Sequence, residues 1–564
     1  MTKDRSIMEP VWLAVWTGTL ALGWLLPNHY RPWIAFHSDA WIAAVLLLAF
    51  AALIWRLRGA MALHRITVGV ALLICNLWLQ YAAGLISQPG VAWISSVYLL
   101  GLFMVLLLGA RWESSSPGQL GDALFLAIGI AAVVLVGLQL QQWLQVDGLE
   151  LWRLSGGPER PSANLGQPNQ LATLLLWGVL AAAWGLMRGR ISGGVGTLLV
   201  AFLLFGIALT GSRTAWIGVA LLVVAAWWWR SLWRSAHLPW VATGLGFYFV
   251  LCVAIQGWLG LLLNGTEATD VVRMGSELRP LAWAVFLDAA WQRPWFGYGW
   301  NQTALAQLTV ATAHPSLHNV FSYAHNLFLD LILWCGIPLG LLLSASLLGW
   351  FWTRFRAVQS AENAVLLLFL LVVANHAMLE LPLYYAYFLL PTGLVMGMLN
   401  TRLGARPVWS VAGWTAGLLW LAATTLLVLL VRDYSRVEPS YENLNFEWQQ
   451  IKVAPIGPPD VLLLTQWHDF VEFARYEPKA GLNQTELDAL RSIPELFSGA
   501  LFLHKYASIL ALNQRPDESR LWLQRLCKVA TESECNTAKA IWAKQSLKHP
   551  EIAAIPWPVK MPDQ

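Results

Sequence analysis

The sequence predicts an all-α polytopic membrane protein, and three observations lead to that fold class. Of its 564 residues, 57% are hydrophobic and only 12% are charged, whereas an average soluble domain has roughly 25% charged residues. The apolar residues come in blocks of about 16–25, the length that crosses roughly 30 Å of hydrocarbon. Many of the 35 Trp residues stand at block ends, where indole rings prefer the headgroup level of a bilayer.

We expect about thirteen transmembrane helices. Helices are expected because a lone strand would leave its backbone groups unpaired in lipid. No small-x-small cleavage site follows the first block, so this block is interpreted as an uncleaved first span. The predicted spans lie near residues 11–26, 41–55, 66–84, 91–110, 122–143, 167–187, 194–210, 214–229, 238–262, 324–350, 362–379, 383–400 and 409–431.

The Arg and Lys residues of the short loops predict the orientation, since cytoplasmic loops carry an excess of positive charge. With a cytoplasmic N-terminus, the cytoplasmic loops hold Lys3, Arg5, Arg56, Arg58, Arg65, Arg111, Arg188, Arg190, Arg230, Arg234, Arg354, Arg356, Arg402 and Arg406. The opposite short loops hold only Arg31, Arg153, Arg160 and Arg213. An odd number of spans then places the C-terminal segment on the periplasmic side of a bacterial inner membrane.

Two domains are expected. Residues 1–431 form the transmembrane domain, which includes a large periplasmic loop at 263–323. Within that loop, residues 277–292 have apolar positions at helical spacing and are expected to lie along the membrane surface. Residues 432–564 form a periplasmic helical, repeat-like domain. Every Lys except Lys3 falls after residue 450, which marks this boundary, and turn signals such as NQRPDES separate amphipathic segments.

The five Cys residues divide into two groups. Cys75, Cys252 and Cys335 lie in or beside apolar runs and are interpreted as packing residues. Cys527 and Cys535 stand eight residues apart in the polar C-terminal segment. A disulfide between them is plausible in the periplasm, and two free thiols remain the alternative.

Composition and absent motifs exclude several classes of function. The formal net charge is +4, too small to imply a nucleic-acid partner. The sequence has no Walker A run, no HExxH and no Cys/His set spaced for zinc. It also has no Asp-x-Asp pair of the kind that holds a metal on a nucleotide-sugar. We therefore expect neither a metal nor another cofactor.

Two Arg residues on the predicted outer face are candidate oxyanion ligands. Arg213 lies in the turn TGSRT between two closely spaced spans, and Arg279 heads the candidate surface helix in ELRPLAW. A guanidinium offers a rigid fork to phosphate or diphosphate. The structural alternatives are a snorkelling interfacial Arg213 and an Arg279 that pairs with Glu277.

His325 is the candidate catalytic residue. It stands at the outer start of the predicted span 324–350, within YAHNLFLD, where a neutral imidazole can accept a proton near pH 7. Asn326 beside it is a candidate for binding sugar or acceptor. The alternative for His325 is a hydrogen-bonded interfacial residue.

A third group stands where two other spans meet the outer face. His376 and Glu380 are four residues apart and share a helix face, and Tyr384 and Tyr385 follow Pro382. These side chains suit a hydroxyl-rich ligand, although His376 and Glu380 also fit a self-satisfied structural pair.

The amides of the stretch NLGQPNQLA form the last group, where an outer loop enters a span. Gln167, Asn169 and Gln170 suit sugar hydroxyls. The alternative is an ordinary helix-start turn.

Taken together, TGSRTAW, ELRPLAW…PWFGYGW and YAHNLFLDLILWCGIPLG resemble the shared core of the O-antigen ligase/polymerase superfamily, over roughly residues 165–400. LPNHYRPWIAFHSDAW, GQPNQLA and the run from His376 through Glu380-Leu-Pro-Leu-Tyr-Tyr are similar to one branch, the PglL-type pilin protein O-oligosaccharyltransferases. With these stretches the resemblance covers nearly the whole chain, most weakly after residue 440.

The resemblance implies a reaction. A glycan carried on undecaprenyl diphosphate would move en bloc to a Ser or Thr hydroxyl of a pilin or another exported protein, without metal or nucleotide. Arg213 and Arg279 would bind the diphosphate, and His325 would be the general base. Gln167, Asn169, Gln170, Asn326, His376, Glu380, Tyr384 and Tyr385 would bind sugar or acceptor.

Alternatives remain open within and outside the superfamily. An O-antigen ligase would use lipid A–core as acceptor, and a polymerase would extend the glycan itself. A lipid-linked glycan transporter would also have about a dozen spans, but it would show internal repeats and polar groups at the bilayer midplane. A non-catalytic membrane scaffold would not need Arg, His, Glu and Tyr on one face.

Overall fold

A computed structural model describes residues 9–57, 59–148, 151–264 and 271–558, leaving aside the side chains of residues 257, 259–264 and 271–277. Lys3, Arg5 and Arg58, which enter the orientation argument, lie outside the described residues. The side chain of Glu277, the suggested partner of Arg279, also lies outside them.

The described part of the chain contains twenty-two α-helices. In chain order they are α1 (Pro10–Leu22), α2 (Phe36–Arg56), α3 (Arg65–Ala82), α4 (Pro89–Ser115), α5 (Gln119–Trp143), α6 (Pro168–Met187), α7 (Gly193–Leu209), α8 (Arg213–Trp228), α9 (Leu238–Asn264), α10 (Val271–Gln292), α11 (Thr303–Val310), α12 (Leu327–Cys335), α13 (Ile337–Ala357), α14 (Ala361–Ala377), α15 (Ala386–Arg402), α16 (Gly413–Trp448), α17 (Thr465–Arg475), α18 (Gln484–Leu496), α19 (Ala500–Leu512), α20 (Pro516–Val529), α21 (Glu532–Ser546) and α22 (Pro550–Ala553).

Seven of these helices are long and apolar enough to cross a membrane: α2, α3, α4, α5, α6, α9 and α16. The shorter helices α1, α7, α8 and α14 are also apolar. Large apolar side chains remain exposed on several of them, such as Leu48 (65%), Phe247 (72%) and Val428 (62%). Such surfaces suit lipid rather than water, and the chain is a multi-pass membrane protein.

The tenth predicted span differs from the structure, because the expected continuous helix over 324–350 is two helices that break at Gly336. Gly336 has φ +81°, and a Cβ at this position would clash with the backbone of Trp295 and Phe296. Only Gly adopts this conformation without strain at such a close approach. Backbone hydrogen bonds from Tyr298 N to Leu333 O and from Ile337 N to Pro294 O, both 2.7 Å, fix the contact.

The helices group into two compact units. Unit 1 comprises residues 1–74, 97–274 and 348–428, and unit 2 comprises residues 75–96, 275–347 and 429–564.

In unit 1, helices α5, α6 and α14 lie in the centre and are buried on most sides. Trp177 of α6 stacks on Phe369 of α14 with ring centroids 3.9 Å apart, and its Nε1 donates to the Phe369 carbonyl at 3.0 Å. Two three-residue strands, β1 (Met61–Leu63) and β2 (Trp409–Val411), pair antiparallel with Ala62 opposite Ser410. This small ribbon ties two interhelical loops together within a unit that is otherwise helical among the described residues.

Within unit 2, α10 contains the segment predicted as a surface helix. Its buried positions recur at helical spacing and are Ala282, Val285, Phe286, Ala289 and Ala290. Phe286 contacts Phe321 at 6.1 Å between ring centroids. The helical spacing seen in the sequence is therefore confirmed, and the apolar stripe packs against other parts of unit 2.

The C-terminal part of unit 2 is helical, as the sequence predicts. Helix α16 continues past residue 431 to Trp448, and its buried Asp433 accepts the backbone N–H groups of Leu462, Leu463 and Leu464. Helices α17 to α22 then pack around α19, with Leu503 fully buried. The turn NQRPDES begins after α19 ends at Leu512, and Pro516 opens α20.

Candidate functional site

A buried carboxylate, Glu380, is the centre of a polar cluster in unit 1. The residue is 6% exposed. Gln167 Nε2 donates to Glu380 Oε2 at 2.5 Å, and Asn169 Nδ2 donates to the other carboxylate oxygen, Oε1. Two amide donors thus satisfy both oxygens of a buried carboxyl group.

The start of α6 explains why these amides reach Glu380. Gly166 takes a left-handed conformation, φ +71°, and Pro168 occupies the first helical position, where its fixed φ suits the helix. Gln167 precedes the helix in an extended conformation and does not cap it with its side chain. Its amide is therefore available for a contact 213 residues away in sequence.

His376 belongs to the same cluster. Its side chain is 1% exposed, with Nδ1 2.9 Å from Thr173 Oγ1 and Nε2 3.5 Å from Glu380 Oε2. Glu380 follows the end of α14, yet its backbone N–H bonds to the His376 carbonyl at 2.8 Å and continues the helical turn. The four-residue spacing thus brings the two side chains together, as predicted.

The tyrosines after Pro382 take different positions. Tyr384 lies half-buried in a 3-10 turn, Pro382–Tyr384. The side chain of Tyr385 hydrogen-bonds with Gln170, whose Oε1 also accepts the Tyr387 hydroxyl at 2.6 Å. Gln170 and Tyr385 therefore belong to one network.

Sequence reasoning missed a second buried carboxylate in unit 1, Asp39 of α2. Asp39 Oδ2 accepts the Tyr98 hydroxyl at 2.7 Å, and its Oδ1 accepts the Tyr387 backbone N–H at 3.2 Å. The predicted span 41–55 begins two residues after Asp39, whereas α2 begins at Phe36. Only the observed helix places this carboxylate within an apolar segment, where it is a functional candidate by default. Thr173 and Tyr387 carried no comparable signal.

His29, in the loop between α1 and α2, was also missed. Both ring nitrogens are buried, and a Cβ placed on Gly166 would meet His29 Nδ1 at 3.4 Å. The imidazole therefore lies beside the turn that begins α6. Burial lowers the pKa of His29, which keeps the ring neutral near pH 7.

Arg213 opens α8 in unit 1, with Ser212 as the N-cap that accepts Ala215 N at 3.3 Å. The Arg213 side chain is exposed. Arg160, which is not among the predicted site residues, donates from Nε to the Thr210 carbonyl of the same turn at 3.3 Å. Two Arg residues are therefore found at this turn: Arg213 belongs to it, and Arg160 contacts it.

A hydrogen bond joins the Arg213 turn to the helix that carries His376. Asn375 Nδ2 donates to the Thr214 carbonyl at 3.0 Å. The first turn of α8 and the last turn of α14 are therefore in contact.

Arg279 and His325 both belong to unit 2. Arg279 is half-buried on α10. One turn later, Trp283 Nε1 donates to the Ala324 carbonyl at 2.9 Å, and Ala324 N donates to the buried Asp330 at 2.9 Å. Helix α10 is thereby fixed to the residue that precedes His325.

The backbone of His325 is strained. Its φ is +54°, in the left-handed region that non-glycine residues enter rarely and that often marks a functional site. Its ring lies between Tyr323 and Phe321, with centroids 4.5 Å and 5.5 Å away. Asn326 caps α12, since its Oδ1 accepts Phe328 N and Leu329 N.

Residues that could hold a metal are found on the C-terminal helix α17. Among the described residues, one group of three has ligand atoms within 4.8 Å of one another: His468, Asp469 and Glu472. His468 Nδ1 lies 3.0 Å from the Pro459 carbonyl. None of these three residues was a candidate in the sequence. In the same part of unit 2, the structure joins Cys527 and Cys535 by a disulfide bond.

Three protein-family models match the chain. "Protein glycosylation ligase" matches residues 161–184, which contain Gln167, Asn169 and Gln170. "O-Antigen ligase" matches residues 198–344, which contain Arg213, Arg279 and His325. "Virulence factor membrane-bound polymerase, C-terminal" matches residues 364–542, a range that includes Glu380.

Two curated proteins of Acinetobacter baylyi are similar to the chain. A "General O-oligosaccharyltransferase" is 29% identical over 541 residues, which cover 93% of this chain and 94% of the relative. A "ComP-specific O-oligosaccharyltransferase" is 33% identical over 248 residues, 43% of this chain and 44% of the relative.

Proposed function

Because the chain belongs to the O-antigen ligase family of glycosyltransferases, we propose that it is a protein O-oligosaccharyltransferase acting on a lipid-linked donor. In this reaction a glycan leaves undecaprenyl diphosphate en bloc and joins a Ser or Thr hydroxyl of a pilin or another exported protein. The protein acceptor is the part of the proposal that separates this chain from an O-antigen ligase or polymerase.

The observation that carries the proposal is the pairing of Gln167 and Asn169 with Glu380. Both amides fall in the segment similar to protein glycosylation ligases, and both hydrogen-bond the same buried carboxylate. Thr173, from the same segment, contacts His376. This support favours protein as acceptor, together with the names of both relatives.

The proposed chemistry is a direct displacement at the anomeric carbon. The acceptor hydroxyl loses its proton to His325 as its oxygen forms the new glycosidic bond. The bond between the sugar and the diphosphate breaks, and undecaprenyl diphosphate leaves with the electron pair. For Arg213 and Arg279 we propose guanidinium contacts to the diphosphate, which stabilise the charge that grows on the leaving group.

The polar cluster of unit 1 is proposed to bind sugar or acceptor hydroxyls. Gln167 and Asn169 hold the Glu380 carboxylate by one oxygen each, and a carboxylate has further lone pairs that can accept hydroxyl groups. Gln170, His376, Tyr384 and Tyr385 add donors and acceptors of the kind that sugars match. Asn326 is proposed to contact the ligand through its amide NH2, because its Oδ1 caps α12.

The proposed location follows from the charge of the short loops. About thirteen spans in a bacterial inner membrane place the N-terminus in the cytoplasm and the loop 263–323 in the periplasm. Residues 1–431 would be the transmembrane domain and residues 432–564 a periplasmic domain. The disulfide between Cys527 and Cys535 supports an oxidising compartment for that domain.

The test is co-expression with a lipid-linked glycan pathway and a candidate pilin, in a host without its own ligase. Intact mass spectrometry of the pilin should show a glycan-sized gain with the wild-type chain and none with His325→Ala. The matched control is His237→Ala, since His237 is exposed in the loop between α8 and α9, and this variant should keep the gain. Immunoblots establish that all three chains reach the membrane equally.

Other outcomes would replace the proposal. Glycan on lipid A–core with an unmodified pilin would make the chain an O-antigen ligase. A longer lipid-linked glycan would make it a polymerase. If pilin, lipid A–core and glycan length all stay unchanged although the protein is expressed, then the protein does not transfer glycan to this acceptor and the proposal fails.

A further inference from the structure

The loop that carries His325 is docked onto the turn between α20 and α21. Leu317 N and His318 N donate to the Lys528 carbonyl at 3.1 Å and 3.3 Å. The His318 side chain adds a third contact, with Nδ1 3.1 Å from the Ala530 carbonyl. All of these residues lie in unit 2.

A disulfide closes the turn that receives the loop. Cys527 lies in α20 and Cys535 in α21, so their bond spans Lys528 and Ala530. The first turn of α21 is otherwise exposed at its residues 532–534, and the buried residues of α21 are Ala538 and Trp542, further along the helix. The disulfide therefore links the start of α21 covalently to the end of α20.

The docked loop connects to His325 through a second clamp. Gln307, which is 2% exposed, donates from Nε2 to the Asn319 carbonyl at 2.8 Å and accepts Phe321 N on Oε1 at 2.8 Å. The Phe321 ring then contacts the His325 ring at 5.5 Å. A short run of residues thus joins the disulfide-closed turn to the imidazole.

The same loop contains two residues with a strained backbone, so the docking contacts affect the conformation of the loop. His318 has φ +50° and His325 has φ +54°. The left-handed region is unfavourable for a non-glycine residue, so the surrounding contacts must hold this conformation. The Lys528 and Ala530 carbonyls supply those contacts for His318.

We propose that the Cys527–Cys535 disulfide and His318 are positioning elements for His325, so that glycan transfer requires the oxidised pair. This inference rests on the proposed role of His325 as general base. Reduction by a dithiol breaks the S–S bond, adds two electrons and two protons, and leaves two Cys thiols, while the dithiol becomes a disulfide. The start of α21 is then released, and the turn at 528–530 no longer fixes the loop.

The test uses the purified full-length protein, with undecaprenyl diphosphate-linked oligosaccharide extracted from the expression host and a purified pilin. The Cys527→Ser/Cys535→Ser double variant should lose at least about tenfold in kcat, since small displacements of a catalytic group cost that much or more. Its KM for the pilin should change little. Cys75→Ser, a change at an exposed free cysteine, should behave as wild type.

Treatment with a reductant distinguishes a positioning role of the disulfide from misfolding of the double variant. Dithiothreitol should lower kcat of the wild type to the level of the double variant, leave the double variant unchanged, and act reversibly on reoxidation. His318→Ala should lower kcat, and His318→Asn should restore much of it, because Asn tolerates positive φ and keeps a side-chain donor.

Two outcomes distinguish the failure of this inference from the failure of the proposed function. If His325→Ala abolishes transfer but the double variant and the reduced wild type keep full kcat, the positioning role is wrong and the general base stands. If His325→Ala itself retains wild-type kcat, the proposed function of His325 fails, and the inference fails with it.

Discussion

Gln167 donates a hydrogen bond to Glu380 across 213 residues of sequence, from Nε2 to Oε2 at 2.5 Å. Asn169 donates to the other oxygen, so one turn at the start of α6 engages both oxygens of a carboxylate that follows α14. A buried carboxylate with charged hydrogen bonds of this kind is sensitive to the loss of either partner.

Glu380→Gln should therefore lower glycan transfer by at least about tenfold, because the new amide NH2 faces an amide donor and the negative charge is lost. The loss of a hydrogen bond to a charged group costs about 1.5–3 kcal/mol. An energy of this size corresponds to a decrease in the rate of about tenfold or more. Transfer to the pilin is measured by intact mass at several times. The control is Glu442→Gln, at an exposed carboxylate on α16. Equal rates in the two variants would contradict the role of Glu380.

Arg279→Lys should impair transfer even though the charge is kept. A guanidinium binds a diphosphate through a planar fork, whereas an ammonium is a point charge. We expect a loss of about tenfold in kcat/KM for the lipid-linked donor, one bidentate contact being worth roughly 1–2 kcal/mol. Arg190→Lys, at an Arg whose side chain is 71% exposed, is the matched control. Full activity of Arg279→Lys would rule out the bidentate contact.

The helices were predictable because a membrane leaves the backbone little choice. Each apolar block had to be helical to satisfy its hydrogen bonds in lipid, and every predicted span overlaps a helix. The break at Gly336 was not predictable from the apolar run around it. It depends on a close approach to Trp295, which is a tertiary contact.

The candidate site was predictable where chemistry and spacing coincide in one segment. His376 and Glu380 are four residues apart, and the structure brings them together. Their partners are Thr173 of α6 and Gln167 just before α6, about 200 residues earlier in the chain. No local sequence pattern indicates a pairing between residues so far apart. Asn326 shows that a local pattern can also be ambiguous, because a polar residue before an apolar run suits both a ligand contact and a helix cap.

The C-terminal domain should lose stability in acid through His504. This residue of α19 is 5% exposed, its Nε2 has no hydrogen-bond partner among the described residues, and burial lowers its pKa to about 4. The unfolded imidazole, with a pKa near 6.5, takes up a proton before the folded one does. The free energy of unfolding therefore falls between pH 6.5 and pH 4, by up to about 3 kcal/mol.

Pulse proteolysis of the full-length chain across a urea series measures this effect at pH 7 and pH 4.5. Wild type should lose more stability between these pH values than His504→Gln, which does not titrate. The neighbouring Lys505, whose pKa burial lowers to about 8, stays protonated in both states over this window and adds nothing. His549→Gln, at an exposed histidine of the same domain, should follow wild type. The same pH dependence in His504→Gln would assign the acid sensitivity elsewhere.

Gly336→Ala should prevent correct folding of unit 2, whereas Gly349→Ala should be tolerated. At Gly336 the added methyl would enter the backbone of Trp295 and Phe296 and would sit at φ +81°, so strain and overlap both oppose it. At Gly349, within α13, a Cβ meets nothing within 4 Å, and Ala has the higher helix propensity by about 1 kcal/mol. The yield of monodisperse protein in detergent and its thermal midpoint measure both changes. A Gly336→Ala chain with the wild-type midpoint would show that the contact between PWFGYGW and GIP is not rigid, and that the break between α12 and α13 has another cause.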